Sequence, residues 1–448
     1  MNEPMLLAAL VISIALLLLL VLRFKVQAFL ALILASVCMG LVAGMPFQDI
    51  VDGITEGMGG TLGFVAVVVG LGAIFGQILE SSGGAHALAA RMIQYFGQNR
   101  ISWALALSGF LIAIPIFLDV GFIIMIPVLY ALSRKTGNSL LSYAIPLLAG
   151  LAVTHAFIPP TPGPVAVSEI LHAELGYVIL YGFLIGIPVT ILAGPVFGKY
   201  ISRKIHVLPP DLPEPERKTY DLPPFWQIAC MIALPLVLIL LNTVAGVMAK
   251  SYGWENNLGI RWISFLGHPY LALSLATTLS IYFLGIRRGM SKEEILQVST
   301  RALSPAGVII LITGAGGVLK QLLIDSGIGN MLADHLSGAS FPPIVLAWLL
   351  ALIVRVTQGS ATVAMITSAG IMAPILEAYL LSPSETALVV ISIAAGATTF
   401  SHVNDSGFWM VCKYLGMNEK QALSSWSVME TIISVTGFLL ALGISFLI

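Results

Sequence analysis

Residues 5–22, 26–45, 61–79, 177–198, 225–248, 261–285, 303–324 and 425–448 are each a nearly unbroken run of apolar side chains. Each is close to or beyond the roughly 18–20 residues that cross a bilayer. No other feature constrains the fold of this chain as strongly. In hydrocarbon every backbone N–H and C=O needs an internal partner, so the runs read as helices. A membrane barrel would instead show alternating strands of about ten residues. Composition agrees: 58% of the 448 residues are hydrophobic and 10% charged, which excludes an ordinary soluble domain and a disordered chain. The net charge of −1 makes no electrostatic case for a nucleic-acid partner. Asn2 and Glu3, not a basic segment, precede the first run, which therefore reads as a first transmembrane helix and not a cleavable signal. Cys38, Cys230 and Cys412 are scattered singles whose spacing makes neither a metal site nor a disulfide framework.

Lys and Arg set the orientation. Arg23 and Lys25, Arg134 and Lys135, Lys199 to Lys218, Arg287 to Lys292, and Lys413 with Lys420 are placed in the cytoplasm. Residues 46–60, with Asp49, Asp52 and Glu56 and no base, face outward, and both termini are then periplasmic. Three segments resist simple crossing. Residues 101–132 are apolar, yet Arg100 and Arg134 demand the same side, which predicts a re-entrant hairpin with its tip near Phe117–Gly121. Residues 341–381 pose the same problem from the other side, with a tip near Thr357–Ala361. Residues 139–176 hold a span broken by the prolines and glycine of Thr154–Pro164.

An internal repeat connects these features. Aligning 62–90 with 306–334 without gaps superposes Gly63 on Gly307, Gly70 on Gly314, Gly72 on Gly316, Gln77 on Gln321, Ser82-Gly83 on Ser326-Gly327 and Leu88-Ala89 on Leu332-Ala333. Farther on, Ala149-Gly150 matches Ala395-Gly396, and Thr154-His155 matches Ser401-His402. The expected fold is an all-α polytopic membrane protein of two inverted repeats, each of about five transmembrane helices with a re-entrant hairpin and a broken helix. The first repeat is 1–198, the polar, proline-rich stretch 199–224 is a cytoplasmic linker, and the second repeat is 225–448 with its broken helix at about 384–416. Inverted repeats with discontinuous helices in corresponding places point to a secondary transporter.

The second break, Gly396-Ala-Thr-Thr-Phe-Ser-His-Val-Asn-Asp-Ser-Gly-Phe-Trp409, concentrates polar groups between two apolar pieces at membrane depth. Such an interruption is a site hypothesis because lipid tolerates neither ionisable groups nor unpaired backbone. Asp405 and Asn404 suit a hydroxylated ligand, and equally a cap for the following half-helix. Asp119, the one acid in 101–132, reads as a proton-coupling or substrate group, or as a structural ion pair or cap. His155 and His402, at matching places in the repeats, suit proton transfer or hydrogen bonding to a hydroxylated ligand, and also a purely structural role. Arg355 can receive a substrate carboxylate, neutralise a buried Asp, or snorkel outward. Gln358, Gly359, Ser360 and Thr362 are read as the start of the second hairpin arm, where exposed N–H groups and the dipole favour an anion. Gly70-Leu-Gly72 and Gly314-Ala-Gly-Gly317 lack phosphate-loop spacing and read as close helix packing. No nucleotide motif, cofactor site or metal site is legible.

Ser401–Trp409, Gln358-Gly-Ser-Ala-Thr-Val-Ala364, His155-Ala-Phe-Ile-Pro-Pro-Thr-Pro-Gly-Pro164 and Gly59-Gly-Thr-Leu-Gly63 resemble the bacterial gluconate:proton symporter family over essentially the full length. The resemblance implies an inner-membrane permease taking up gluconate or a related hydroxy acid with protons, in the paired-hairpin fold of the ion-transporter superfamily, where homodimers are common. This chain has Thr161 where the family's break often has His, and Asp119 where its hairpin tip often has Glu. The substrate would sit between the two hairpin tips and the two helix breaks, its carboxylate on the half-helix N-termini around Ser360 with Arg355 as a candidate partner, Asn404, Asp405 and the histidines on its hydroxyls, and Asp119, Asp405, His155 or His402 carrying the proton. Sodium coupling, transport of another small hydroxylated carboxylate such as D-serine, a passive channel and a membrane-embedded enzyme are the competing readings.

Overall fold

The structure, a computed structural model, describes residues 3–210, 222–254, 257–328, 331, 342–377 and 379–448. Among these residues only helices and connecting turns form. The first half comprises α1 (Glu3–Leu22), α2 (Ala28–Val42), α3 (Phe47–Ser81), α4 (Gly84–Phe96), α5 (Ile101–Ile112), α6 (Leu118–Thr136), α7 (Leu141–Phe157), α8 (Pro162–Ile170) and α9 (Leu175–Ile191). One π-helical turn joins α9 to α10 (Phe197–Lys204). The second half comprises α11 (Phe225–Tyr252), α12 (Leu258–Leu266), α13 (Pro269–Ser280), α14 (Lys292–Asp325), α15 (Pro343–Gln358), α16 (Ala361–Leu376), α17 (Pro383–Ala397), α18 (Ser406–Leu415) and α19 (Glu419–Ser445). Eight helices among the described residues are long and apolar enough to cross a membrane.

Local chemistry sets the helix starts. Ser291 with Glu294, Ser382 with Glu385 and Asn418 with Gln421 form reciprocal capping boxes that open α14, α17 and α19. Proline opens α8, α13, α15 and α17 at the first or second position, where its missing N–H costs nothing. The short helices matter most for function. With 12 residues in α5, 9 in α8 and 10 in α18, these pieces reach only about 13–18 Å, well short of a hydrocarbon core of roughly 30 Å. One end of each therefore lies inside the protein.

Packing is reciprocal between the halves. The 35-residue α3 lies along the 34-residue α14. α2 packs on α14, and α13 on α3. Both α5 and α6 pack on α7, and both α15 and α16 pack on α17. α16 then touches α8, while α6 touches α18. Small residues permit the tightest approaches. A Cβ on Gly57 would lie 2.6 Å from Gly317 O at the α3–α14 crossing. One on Gly150 of α7 would lie 2.6 Å from Phe110 N of α5, and one on Gly396 of α17 2.5 Å from Trp348 O of α15. Gly314 and Gly317 face α3 and Gly316 faces Ile366, as close packing requires, whereas a Cβ on Gly70 would come no nearer than 3.8 Å to any neighbour.

Several boundaries differ from the sequence reading. Residues 47–60 continue the helix of the following span, since three acids spaced along one turn after another leave its backbone bonds intact. The stretch 261–285 is two helices separated at Gly267 and His268, with His268 capping α13. The first interhelical tip lies at 113–117, earlier than expected, because Leu118-Asp119 already form the first turn of α6. Thr154–Phe157 remain helical and the first break is 158–161; Pro162 and Pro164 fall in the first turn of α8, where proline is tolerated. The second break is 398–405, with Ser406 and Gly407 inside α18. Residues 211–221 of the linker, which include Lys218, together with Leu332, Ala333 and positions 341 and 378 of the second hairpin region, lie outside the described residues.

Candidate functional site

Four helices begin at one place. Leu118 and Asp119 of α6, Gly163 of α8, Ser360, Ala361 and Thr362 at the head of α16, and Asp405, Ser406 and Gly407 at the head of α18 all line one cavity of about 400 Å³. That size falls within the roughly 300–1,000 Å³ of small-molecule sites. Each helix start presents the positive end of a dipole; those of α6, α16 and α18 add backbone N–H groups without intrahelical acceptors, while α8, with prolines at 162 and 164, adds only that of Gly163. The cavity wall is completed by His155 and Ala152 of α7, Arg355 of α15, Met365 of α16, Thr398 in the second break, and Trp426 and Glu430 of α19.

The second break is held rigidly. Asp405 Oδ1 accepts from Gly407 N at 2.9 Å, the cap of α18. Its Oδ2 accepts from Arg355 Nη2 at 2.6 Å and from Ser401 Oγ at 2.5 Å. Ser401 Oγ in turn accepts from Trp426 Nε1 at 2.7 Å. Arg355, only 3% exposed, also donates through Nη1 to Gly359 O, while its Nε is buried without a partner. The neutralisation reading of Arg355 is thus the one the structure displays: both terminal nitrogens are engaged before any ligand arrives. Gly359 has φ +82°, a left-handed conformation natural only to glycine, and a Cβ there would sit 2.7 Å from Asn404 C.

Of the residues singled out from sequence, Asp119, His155, Arg355, Ser360, Thr362 and Asp405 come together on the cavity. Gln358, Gly359, His402 and Asn404 do not line it. Gln358 is the last residue of α15 and not the start of the next arm, and both atoms of its amide are buried without hydrogen bonds. His402 Nε2 donates to Val356 O at 3.0 Å, and Asn404 Nδ2 donates to Val356 O at 3.0 Å and Thr357 O at 3.2 Å. Both side chains satisfy the orphan carbonyls that end α15. The matched histidines therefore part company: His155 faces the cavity with Nδ1 unpartnered, while His402 caps a helix. Asn404→Ala is expected to cost about 1–3 kcal/mol through unsatisfied carbonyls, with the apparent KM for substrate unchanged. Thermal unfolding in detergent and transport kinetics check both halves of that statement.

Sequence reasoning missed Glu430 and Trp426. Both were absorbed into the apolar span 425–448. The signal was present, because Glu430 is the one acid in that stretch, and the rule applied to Asp119 singles it out equally.

A multi-pass helical membrane protein whose interrupted helices meet at one polar cavity has the build of a secondary transporter. The family model for GntP family permeases matches residues 5–448, and the chain belongs to that family; it is a transporter and not an enzyme. It is 41% identical over 426 residues to the low-affinity gluconate transporter of Escherichia coli K12, with 95% of each chain covered. It is 40% identical over 433 residues to the gluconate permease of Pseudomonas aeruginosa PAO1, covering 96% of this chain and 95% of that one. The Gnt-II system L-idonate transporter of Escherichia coli K12 is 36% identical over 434 residues, with 97% of each covered. Among solved structures, the YdaH transporter of Alcanivorax borkumensis shares the fold, with a TM-score of 0.61 over 88% of each chain at 14% identity.

Proposed function

We propose that this protein takes up gluconate or a closely related sugar acid together with protons across the bacterial inner membrane. The observation that carries the reading is the convergence of four helix N-termini on one cavity. Unpaired N–H groups and aligned dipoles suit a carboxylate without requiring a free basic side chain. Arg355, the cation on that wall, is already paired with Asp405, so the substrate carboxylate lies on the heads of α16 and α18. Ser360 Oγ is used as the α16 cap, accepting from Val363 N at 3.4 Å, and Thr362 and the Ser406 hydroxyl are left to meet substrate hydroxyls. Relatives named for gluconate and for L-idonate, two sugar acids, support this substrate class.

Proton coupling follows from the charge inventory. Asp119, Asp405 and Glu430 share the cavity with Arg355 and His155. A monoanion entering beside more carboxylates than fixed cations is favoured when one of those groups is protonated. In this reading residues 1–198 and 225–448 are the two inverted repeats, both termini are periplasmic, and alternating access comes from rocking of the hairpin and broken-helix elements against α3 and α14.

The test is uptake of labelled gluconate by proteoliposomes under an inward proton gradient in sodium-free buffer. Accumulation that collapses with a protonophore is expected, with a voltage-independent rate if one proton accompanies one monoanion. Absence of gluconate uptake by correctly inserted protein overturns the substrate, and D-serine and other sugar acids are then the substrates to try. Uptake that requires sodium and ignores the proton gradient overturns the coupling.

A further inference from the structure

Helix α19 lays a polar stripe against the second break. Trp426 Nε1 donates to Ser401 Oγ at 2.7 Å, and Ser427 Oγ donates to Ser401 O. Two turns on, Ser434 Oγ meets Thr399 Oγ1 at 2.5 Å and accepts from Trp348 Nε1 at 3.0 Å. Glu430 lies between them on the same face, four residues from Trp426 and four from Ser434. It is 4% exposed and lines the cavity, yet its Oε1 is buried with no hydrogen-bond partner. Its neighbours on the stripe are committed to holding the break, while Glu430 faces the cavity.

The charged groups acting on Glu430 are Arg355 of α15 and Asp405 at the head of α18. His155 of α7 and Asp119 of α6 line the same cavity. Among the described residues, the other ionisable groups on helices packed against α19 are Tyr143 of α7, Tyr177 and Tyr181 of α9, Glu385 in the first turn of α17, and Cys412, Lys413 and Tyr414 at the far end of α18. Arg355 and Asp405 already neutralise one another at 2.6 Å. A buried carboxylate beside a closed ion pair, with an oxygen unsatisfied, is stable when neutral and uncompensated when ionised.

Resting on the proton-coupled reading above, we propose that Glu430 is the group that takes up the co-transported proton. The proton comes from water on the side where the cavity opens, converts Glu430 to the neutral acid and lets the substrate anion settle on the helix N-termini. On the opposite side the proton returns to water. The resulting carboxylate repels the substrate anion out of the shared cavity and finds the unpartnered Arg355 Nε as its donor. No other reactant is involved.

The experiment compares wild type, E430Q and E430D in gluconate-loaded and empty proteoliposomes, after size-exclusion chromatography confirms monodisperse protein. With one proton per anion, a one-unit pH gradient supports about tenfold accumulation in the wild type. E430Q, a permanent mimic of the protonated state, is expected to exchange gluconate with gluconate but to accumulate none, and to lose the pH dependence of exchange. E430D is expected to recover gradient-driven uptake. E430Q that accumulates like the wild type overturns the proposal. So does loss of exchange in both E430Q and E430D, which makes the position structural. Failure of the wild type itself to accumulate overturns the proton-coupled reading instead.

Discussion

Arg355→Ala is expected to abolish uptake and to destabilise the protein by about 3–5 kcal/mol, the cost of leaving one partner of a buried ion pair uncompensated. Asp405 is 12% exposed and would keep only Ser401 Oγ and Gly407 N as partners. The loss extends to geometry, because Arg355 also ties Gly359 O, and through it the turn between α15 and α16, to the head of α18. The double variant Arg355→Ala/Asp405→Asn removes both charges and keeps a capping side chain at position 405. It is expected to regain most of the lost thermal stability in detergent while remaining inactive. Stability that stays low in the double variant would show that the guanidinium acts by packing; recovered uptake would show that the pair is dispensable for transport.

Gly150→Val and Gly396→Val are expected to destabilise the protein by about 3 kcal/mol or more each, at the upper end of overpacking costs. At both positions backbone of the neighbouring helix occupies the space a side chain would need: Phe110 N lies 2.6 Å from a Cβ on Gly150, and Trp348 O 2.5 Å from one on Gly396. Backbone cannot rotate away as a side-chain tip can, so α5 would part from α7, or α15 from α17, and the half-helix ends would leave the cavity. Gly63→Ala and Gly307→Ala are the controls, since a Cβ at either meets nothing within 4 Å. Alanine's better helix propensity should leave them unchanged or more stable by up to about 1 kcal/mol. All four glycines match in pairs across the repeat, and only the three-dimensional packing separates the costly pair from the neutral one. Thermal unfolding of the four single variants in one detergent decides the matter.

The polar membership of the site was half legible for the same reason. Asp119, His155, Arg355, Ser360, Thr362 and Asp405 interrupt apolar runs, and lipid makes any such interruption conspicuous. Asn404 and His402 were equally conspicuous but serve the carbonyls that end α15. A polar side chain beside a helix break answers either a ligand or the broken backbone, and the two demands select the same residue types. Glu430, the one acid of the span 425–448, is conspicuous by the same rule, but it lies within an uninterrupted apolar helix and nothing local marks which face of that helix meets the break.

The sequence by itself determined that the chain is helical, multi-pass and interrupted at four places. These follow from local physics: hydrocarbon leaves the backbone no partner but its own helix, and clustered proline, glycine and polar groups within an apolar run mark where that helix is interrupted. Only the tertiary structure decided that the four interrupted helices start at a common cavity, that Arg355 closes on Asp405 fifty residues away, and that α19 turns Glu430 toward both. Those outcomes depend on which small residues let which helices approach. That choice is made by the reciprocal packing of distant segments, which no window of sequence contains.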